Sequence, residues 1–166
     1  MRNGGLNADV AADDSFTLGN VSPGRYSVSL SWGPAYVRSV RVGDSETEGC
    51  ILDLRNGPAG AVTFTVSSLT GEISGTVNDS SGPVANAHVV LVPQAGGLQF
   101  MRSTAAKPDG TYRLTGLPPG KYKLAATDEG FYPNPRSDAA LEDYEDVAQS
   151  IELRPGDKIT QDLKRK

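Results

Sequence analysis

A single histidine, His88, and a single cysteine, Cys50, bound the chemistry open to this chain of 166 residues. A peptidase-type zinc site takes two histidines and a carboxylate, which one histidine cannot supply. His88 also falls out of step with the apolar row Ala87, Val89 and Leu91, so it reads as a surface residue. A Ser-His-Asp triad would have to draw on it from mid-strand, and no Gly-x-Ser-x-Gly turn accompanies any serine. Cys50 shares a face with Leu52 and Leu54 and reads as a small buried apolar residue. Alone, it can form no intramolecular disulfide. Glu142, Asp143, Glu145 and Asp146 crowd "SDAALEDYEDVAQ" (137–149). They lack the alternate-oxygen spacing and the turn glycine of a calcium loop. Leu141, Tyr144 and Ala148 instead fall at helical spacing behind Ser137 or Asp138 as a cap. That predicts a short helix crossing one end of the fold with a solvated acidic face. Four aromatics are the remaining candidates: Trp32 and Tyr36 in one loop, Phe131 and Tyr132 in the matching loop. Such rings can stack on the apolar face of a sugar, or simply pack against protein. No catalytic residue, metal or cofactor is expected.

The elements that would position these groups are announced by a repetition. "PDGTYRLTGLPPGKYKL" (108–124) restates "ADDSFTLGNVSPGRYSV" (12–28). Asp109-Gly110 is a tight-turn pair, and Tyr112 and Leu114 alternate with Arg113 and Thr115 as in a half-buried strand. Pro118-Pro119-Gly120-Lys121 predicts a type II turn with Gly120 left-handed. Tyr122, Leu124 and Ala126 then face one way, with Lys121, Lys123 and Ala125 facing the other. The phrase thus predicts a β-hairpin with aromatic anchors. Phe16, Leu18, Val21, Pro23-Gly24 and Tyr26 stand at the matching positions of the earlier copy. Further on, "ILDLRNGPAGAVTFTV" (51–66) parallels "SIELRPGDKITQDL" (150–163): a strand, a Gly/Pro turn, a last strand. Val62, Phe64 and Val66 should share a face there, as should Ile159, Gln161 and Leu163. Only the second copy has a front, 71–94, with Ile73, Gly75 and Val77 on one face of its first strand. A boundary near Thr70-Gly71 follows, and the first unit reads as N-terminally truncated by about two strands. That would leave strand edges open to pairing between chains.

Composition agrees with an all-β chain: Gly 19, Pro 11, and 37% hydrophobic residues, enough for sandwich cores. The net charge of −4 divides evenly, with five basic and seven acidic residues in 1–70 and eleven and thirteen in 71–166. Neither part makes a basic footprint for nucleic acid or anionic membrane, and Lys164-Arg165-Lys166 reads as a short solvated tail. No apolar run approaches a membrane span, and the first residues lack the apolar stretch of an export signal. A Lys–Asn isopeptide crosslink fails on inventory. Residues 1–70 hold no lysine, and the first and last strands of the second unit lack lysine and asparagine respectively.

Residues 73–92, "ISGTVNDSSGPVANAHVVLV", followed by 103–127, "STAAKPDGTYRLTGLPPGKYKLAAT", resemble the carboxypeptidase regulatory-like domain. The resemblance implies a transthyretin-like β-sandwich over 71–166. It is looser over 1–70, through "PAYVRSVRVG" and "ILDLRNGPAGAVTFTVSS". It implies two tandem Ig-like/transthyretin-like sandwich units, the first partial, within a larger exported bacterial protein, outside the cell, on its surface or in the periplasm. It implies no peptidase activity. The expected role is a non-catalytic spacer or accessory module whose partners are neighbouring domains, a polysaccharide or another surface protein. The alternatives are a carbohydrate-binding module using Trp32, Tyr36, Phe131 and Tyr132, or a regulatory domain of an upstream hydrolase. Nucleic acid and direct membrane insertion are not expected.

Overall fold

The structure is a computed structural model that describes residues 6–31, 33–57, 61–94, 101–127 and 146–165. Among these every regular element is a β-strand. The first five are β1 (Arg25–Ser27), β2 (Tyr36–Val42), β3 (Ser45–Glu48), β4 (Ile51–Asp53) and β5 (Val62–Ser67). β1 pairs with β4, and β2 lies between β3 and β5. They enclose a small core of Val37, Val40, Leu52 and Leu54. Nine strands follow: β6 (Gly71–Asp79), β7 (Gly82–Pro83), β8 (His88–Pro93), β9 (Arg102–Ala105), β10 (Thr111–Leu117), β11 (Gly120–Thr127), β12 (Gln149–Leu153), β13 (Lys158–Thr160) and β14 (Leu163–Lys164). One sheet is built on β6, flanked by β10 on one side and by β13 and β14, both parallel to it, on the other. The other sheet has the order β12-β11-β8-β9. Between them lies the main core, which includes Ile73, Val77, Val89, Leu91, Leu114, Leu124 and Leu163. The alternation seen in the sequence holds for Ile73 and Val77 and for Ala87, Val89 and Leu91, all buried. Among the described residues no strand pairing crosses from β1–β5 to β6–β14.

The repeated phrase is not a hairpin. β10 pairs with β6 and β11 pairs with β8 and β12, so the chain leaves one sheet at Leu117 and enters the other at Gly120. The turn differs too. The left-handed residue is Gly116 (φ +70°), at an irregularity in the β10 pairing, while Gly120 is nearly extended at φ +156°. The earlier copy repeats this geometry, with Asn20 (φ +58°) standing for Gly116. Asp14 (φ +63°) likewise stands for Gly110 (φ +76°). Asx turns precede both: Asp109 Oδ1 accepts from the Thr111 amide and hydroxyl, and Asp13 Oδ1 accepts from those of Ser15. In each copy the tyrosine locks the crossing. The Tyr122 hydroxyl donates to the Pro118 carbonyl at 2.6 Å, and the Tyr26 hydroxyl to that of Ser22 at 2.5 Å. A tyrosine bonded back to the backbone just upstream is a device of sandwich corners, where a strand changes sheets.

Three further expectations change. Val66 is 45% exposed, because β5 pairs with β2 through an irregularity between Val37 and Ser39 that shifts its end off the inner face. Lys164 and Arg165 are no loose tail. Lys164 lies in β14 beside Asn78, and Arg165 donates its amide to the Asn78 carbonyl and pairs with Asp79 at 3.3 Å. Ala125 does not face solvent. Val90, Val92 and Ala125 are buried on the outer face of the second sheet under Met101, Val147 and Ala148. Most of the expected helix at 137–149 lies outside the described residues; Asp146–Val147 form a turn.

Candidate functional site

The two corners set the geometry of the molecule's most enclosed surface. After Gly24 and Gly120, β1 and β11 each pair with a strand from the repeated Asp/Glu-Leu-Arg motif: Tyr26 opposite Leu52, Tyr122 opposite Ile151. A basic residue meets an acid across each pair, Arg25 opposite Asp53 and Lys121 opposite Glu152. Asp53 is also gripped by Arg55, whose Nη2 lies 2.7 Å away. Those hydrogen bonds hold its carboxyl down at about 2.

A cleft of about 620 Å³ opens where β1, β2 and β4 approach the start of β11. Val28, Leu30, Tyr36 and Cys50 line it from the N-terminal strands, and Pro118, Pro119 and Tyr122 from the C-terminal ones. Arg38, Glu48, Arg102 and Lys121 supply its charges. Such a volume suits a compact ligand. Burial pushes the Tyr122 hydroxyl up to about 12, with Arg102 pulling weakly the other way, and pushes the Cys50 thiol up. Burial also raises Tyr112, whose hydroxyl donates to the Gln161 carbonyl at 2.5 Å.

An alkaline titration should therefore separate these two tyrosines from the rest. Their phenolate absorbance should rise only well above the usual pH of about 10. The folded state holds its protons more tightly than the unfolded one, so stability is full below about pH 10 and is lost as pH climbs toward 12. A single phenolate step near 10 that accounts for every tyrosine would contradict the buried corner.

Of the four aromatics singled out in the sequence, Tyr36 opens β2, half-buried, and lines this cleft. Trp32, Phe131 and Tyr132 lie outside the described residues. Cys50 packs half-buried against Leu52 and Leu54, as its spacing implied. His88 is half-buried at the start of β8, its Nδ1 3.4 Å from Thr127 Oγ1. No group of three His, Cys, Asp or Glu that could hold a metal exists among the described residues. No helix among them is long and apolar enough to cross a membrane. Sequence reasoning missed the cationic set. Arg38, Arg102 and Lys121 are far apart along the chain, and no local pattern marks their convergence.

Residues 72–163, more than half of the chain, match the profile of the carboxypeptidase regulatory-like domain. The chain belongs to that family. The matched span contains both sheets of the C-terminal sandwich from β6 into β14, so the family motif and the Tyr122 corner coincide. Over 96 residues, 58% of its length, this carboxypeptidase regulatory-like chain is 33% identical to the TonB-dependent transporter Oar of Myxococcus xanthus. It covers only 9% of that transporter. Among solved structures it is similar to a DUF3823 family protein from Parabacteroides merdae. The TM-score is 0.40 at 14% identity, over 57% of this chain and 45% of that one. It is also similar to a streptococcal ancillary pilin, with a TM-score of 0.38 at 14% identity over 97% and 50% of the two chains. Likenesses this loose carry no functional meaning.

Proposed function

We propose that this chain is a non-catalytic structural and interaction module, a spacer or accessory domain within a larger exported protein. Residues 1–70 and 71–166 are its two tandem units. Its place is outside the cytoplasm, at the cell surface or in the periplasm, with neighbouring domains as its first partners. The observation that carries this reading is the duplicated corner. Each half locks its own sheet crossing with a tyrosine, and the halves are joined by only residues 68–70 between β5 and β6. A connection this short restricts their relative movement. Further restraint comes from the Gly156 amide, which donates to the Leu69 carbonyl at 3.1 Å, and from Pro34, which lies against Gly116. Family membership supports an accessory role, as does the small share of the transporter Oar that the chain matches.

A spacer must hold distance. Spin labels at Thr65→Cys in β5 and Glu152→Cys in β12, both exposed, in a Cys50→Ala background, should give one narrow distance distribution. A broad distribution would mean freely hinged beads and would sink the spacer reading.

A further inference from the structure

Beyond a spacer's role, the cleft carries a charge pattern that scaffolding does not require. The chain as a whole is acidic, at −4. Yet three of the four charged groups lining the cleft are cations, Arg38, Arg102 and Lys121, against Glu48 alone. None of the three closes an ion pair with a described residue. The printed side-chain bond of Arg102 goes only to the neighbouring Met101 carbonyl. Guanidinium groups on a partly apolar surface are the usual receptors for carboxylates, because their forked donors match two carboxylate oxygens. The walls narrow the ligand further. Pro93, Pro118, Pro119 and Pro155 line the cleft and have no amide to donate, so an incoming peptide strand would find few main-chain partners. Proline C–H surfaces and the Tyr36 ring instead suit the apolar face of a pyranose.

We propose that this cleft binds an acidic oligosaccharide, with Arg102 and Lys121 taking a uronate carboxylate and Tyr36 and the prolines packing against the sugar face. The whole chain tests this by calorimetric titration with trigalacturonate, and with neutral galactotriose as its control. Cys50 lines the cleft, so its alkylation rate is a second readout that needs no ligand signal. Trigalacturonate should bind saturably and slow that alkylation, and galactotriose should bind at least about tenfold more weakly. Arg102→Ala and Lys121→Ala should each weaken binding about tenfold, the usual loss for a charged hydrogen bond. Glu48→Gln removes the one opposing charge and should tighten binding severalfold, an effect misfolding cannot imitate. Absence of saturable binding overturns the proposal. So does equal binding of galactotriose, or full binding by the Arg102/Lys121 double variant. Equally tight binding of oligo-glutamate would show that charge alone is read and overturn the saccharide assignment.

Discussion

Gly75→Ala should destabilise the C-terminal sandwich by about 3 kcal/mol, the upper end of what overpacking costs. Gly75 sits in β6 on the same face as Ile73 and Val77, where a strand would ordinarily carry an apolar side chain. The space is filled by backbone instead. Between β13 and β14 the chain turns the Gln161 carbonyl inward, and a Cβ on Gly75 would lie 2.0 Å from that oxygen and 2.6 Å from its carbon. The carbonyl cannot simply step aside. It accepts the Tyr112 hydroxyl, the Gln161 amide donates to Ser74, and the Thr76 amide donates to Asp162 Oδ1 at 2.8 Å. A methyl group must therefore push the last strands off β6 and break several bonds at once. Chemical denaturation measures this as a lower midpoint at unchanged slope. Tyr112→Phe, which only removes the hydroxyl, should cost about 1–2 kcal/mol. In the double variant the second change should add little, because Gly75→Ala has already displaced the acceptor. A Gly75→Ala protein within about 0.5 kcal/mol of the parent would show that the carbonyl relaxes freely, and the account of this glycine would fail.

The same site shows what the sequence discloses and what it conceals. The repetition placed Phe16 with Tyr112 and Phe64 with Gln161, and the structure makes both pairs into contacts. Phe16 stacks on Phe64 with ring centroids 5.1 Å apart, and Tyr112 bonds to the Gln161 backbone. Core faces were legible because burial repeats every second residue, as at Ile73/Val77 and Val89/Leu91. The sheet crossing was not. Strand, Pro-Gly turn, strand is the local pattern of a hairpin and of a corner alike, and only pairing with distant β6 and β8 tells them apart. The outward side of β8 was hidden for a related reason. Val90 and Val92 are covered by Met101, Val147 and Ala148, which no local period connects to them. Lys164 and Arg165 looked like a tail because charge is a poor guide at an edge strand. There a side chain can stay in water while its amide or carbonyl joins the ladder. The cleft's cations share that difficulty: Arg38, Arg102 and Lys121 are brought together by tertiary structure alone.

Leu153→Ala should cost about 3–4 kcal/mol, and Leu54→Ala, the same position of the repeated motif, about 2 kcal/mol. The two leucines are nearly equally buried, at 2% and 5% exposure, so burial alone would predict equal costs. Their surroundings differ. Leu153 belongs to the large core, and a Cβ on Gly71 would come within 3.2 Å of its methyls, so neighbouring backbone already presses on it. A cavity there has little freedom to close, and the cost of truncation rises with the cavity that remains. Leu54 sits among four fully buried residues ringed by half-buried ones such as Val21, Val28 and Val62, which can shift into the gap. Thermal unfolding also probes the division into two units. If residues 1–70 and 71–166 melt separately, Leu54→Ala lowers only the weaker transition. Leu153→Ala then lowers only the stronger, by about 4–8 °C per kcal/mol for a unit of this size. One shared transition displaced by both substitutions would mean that the short connection and the contacts of Leu69 and Pro34 weld the halves into a single cooperative block.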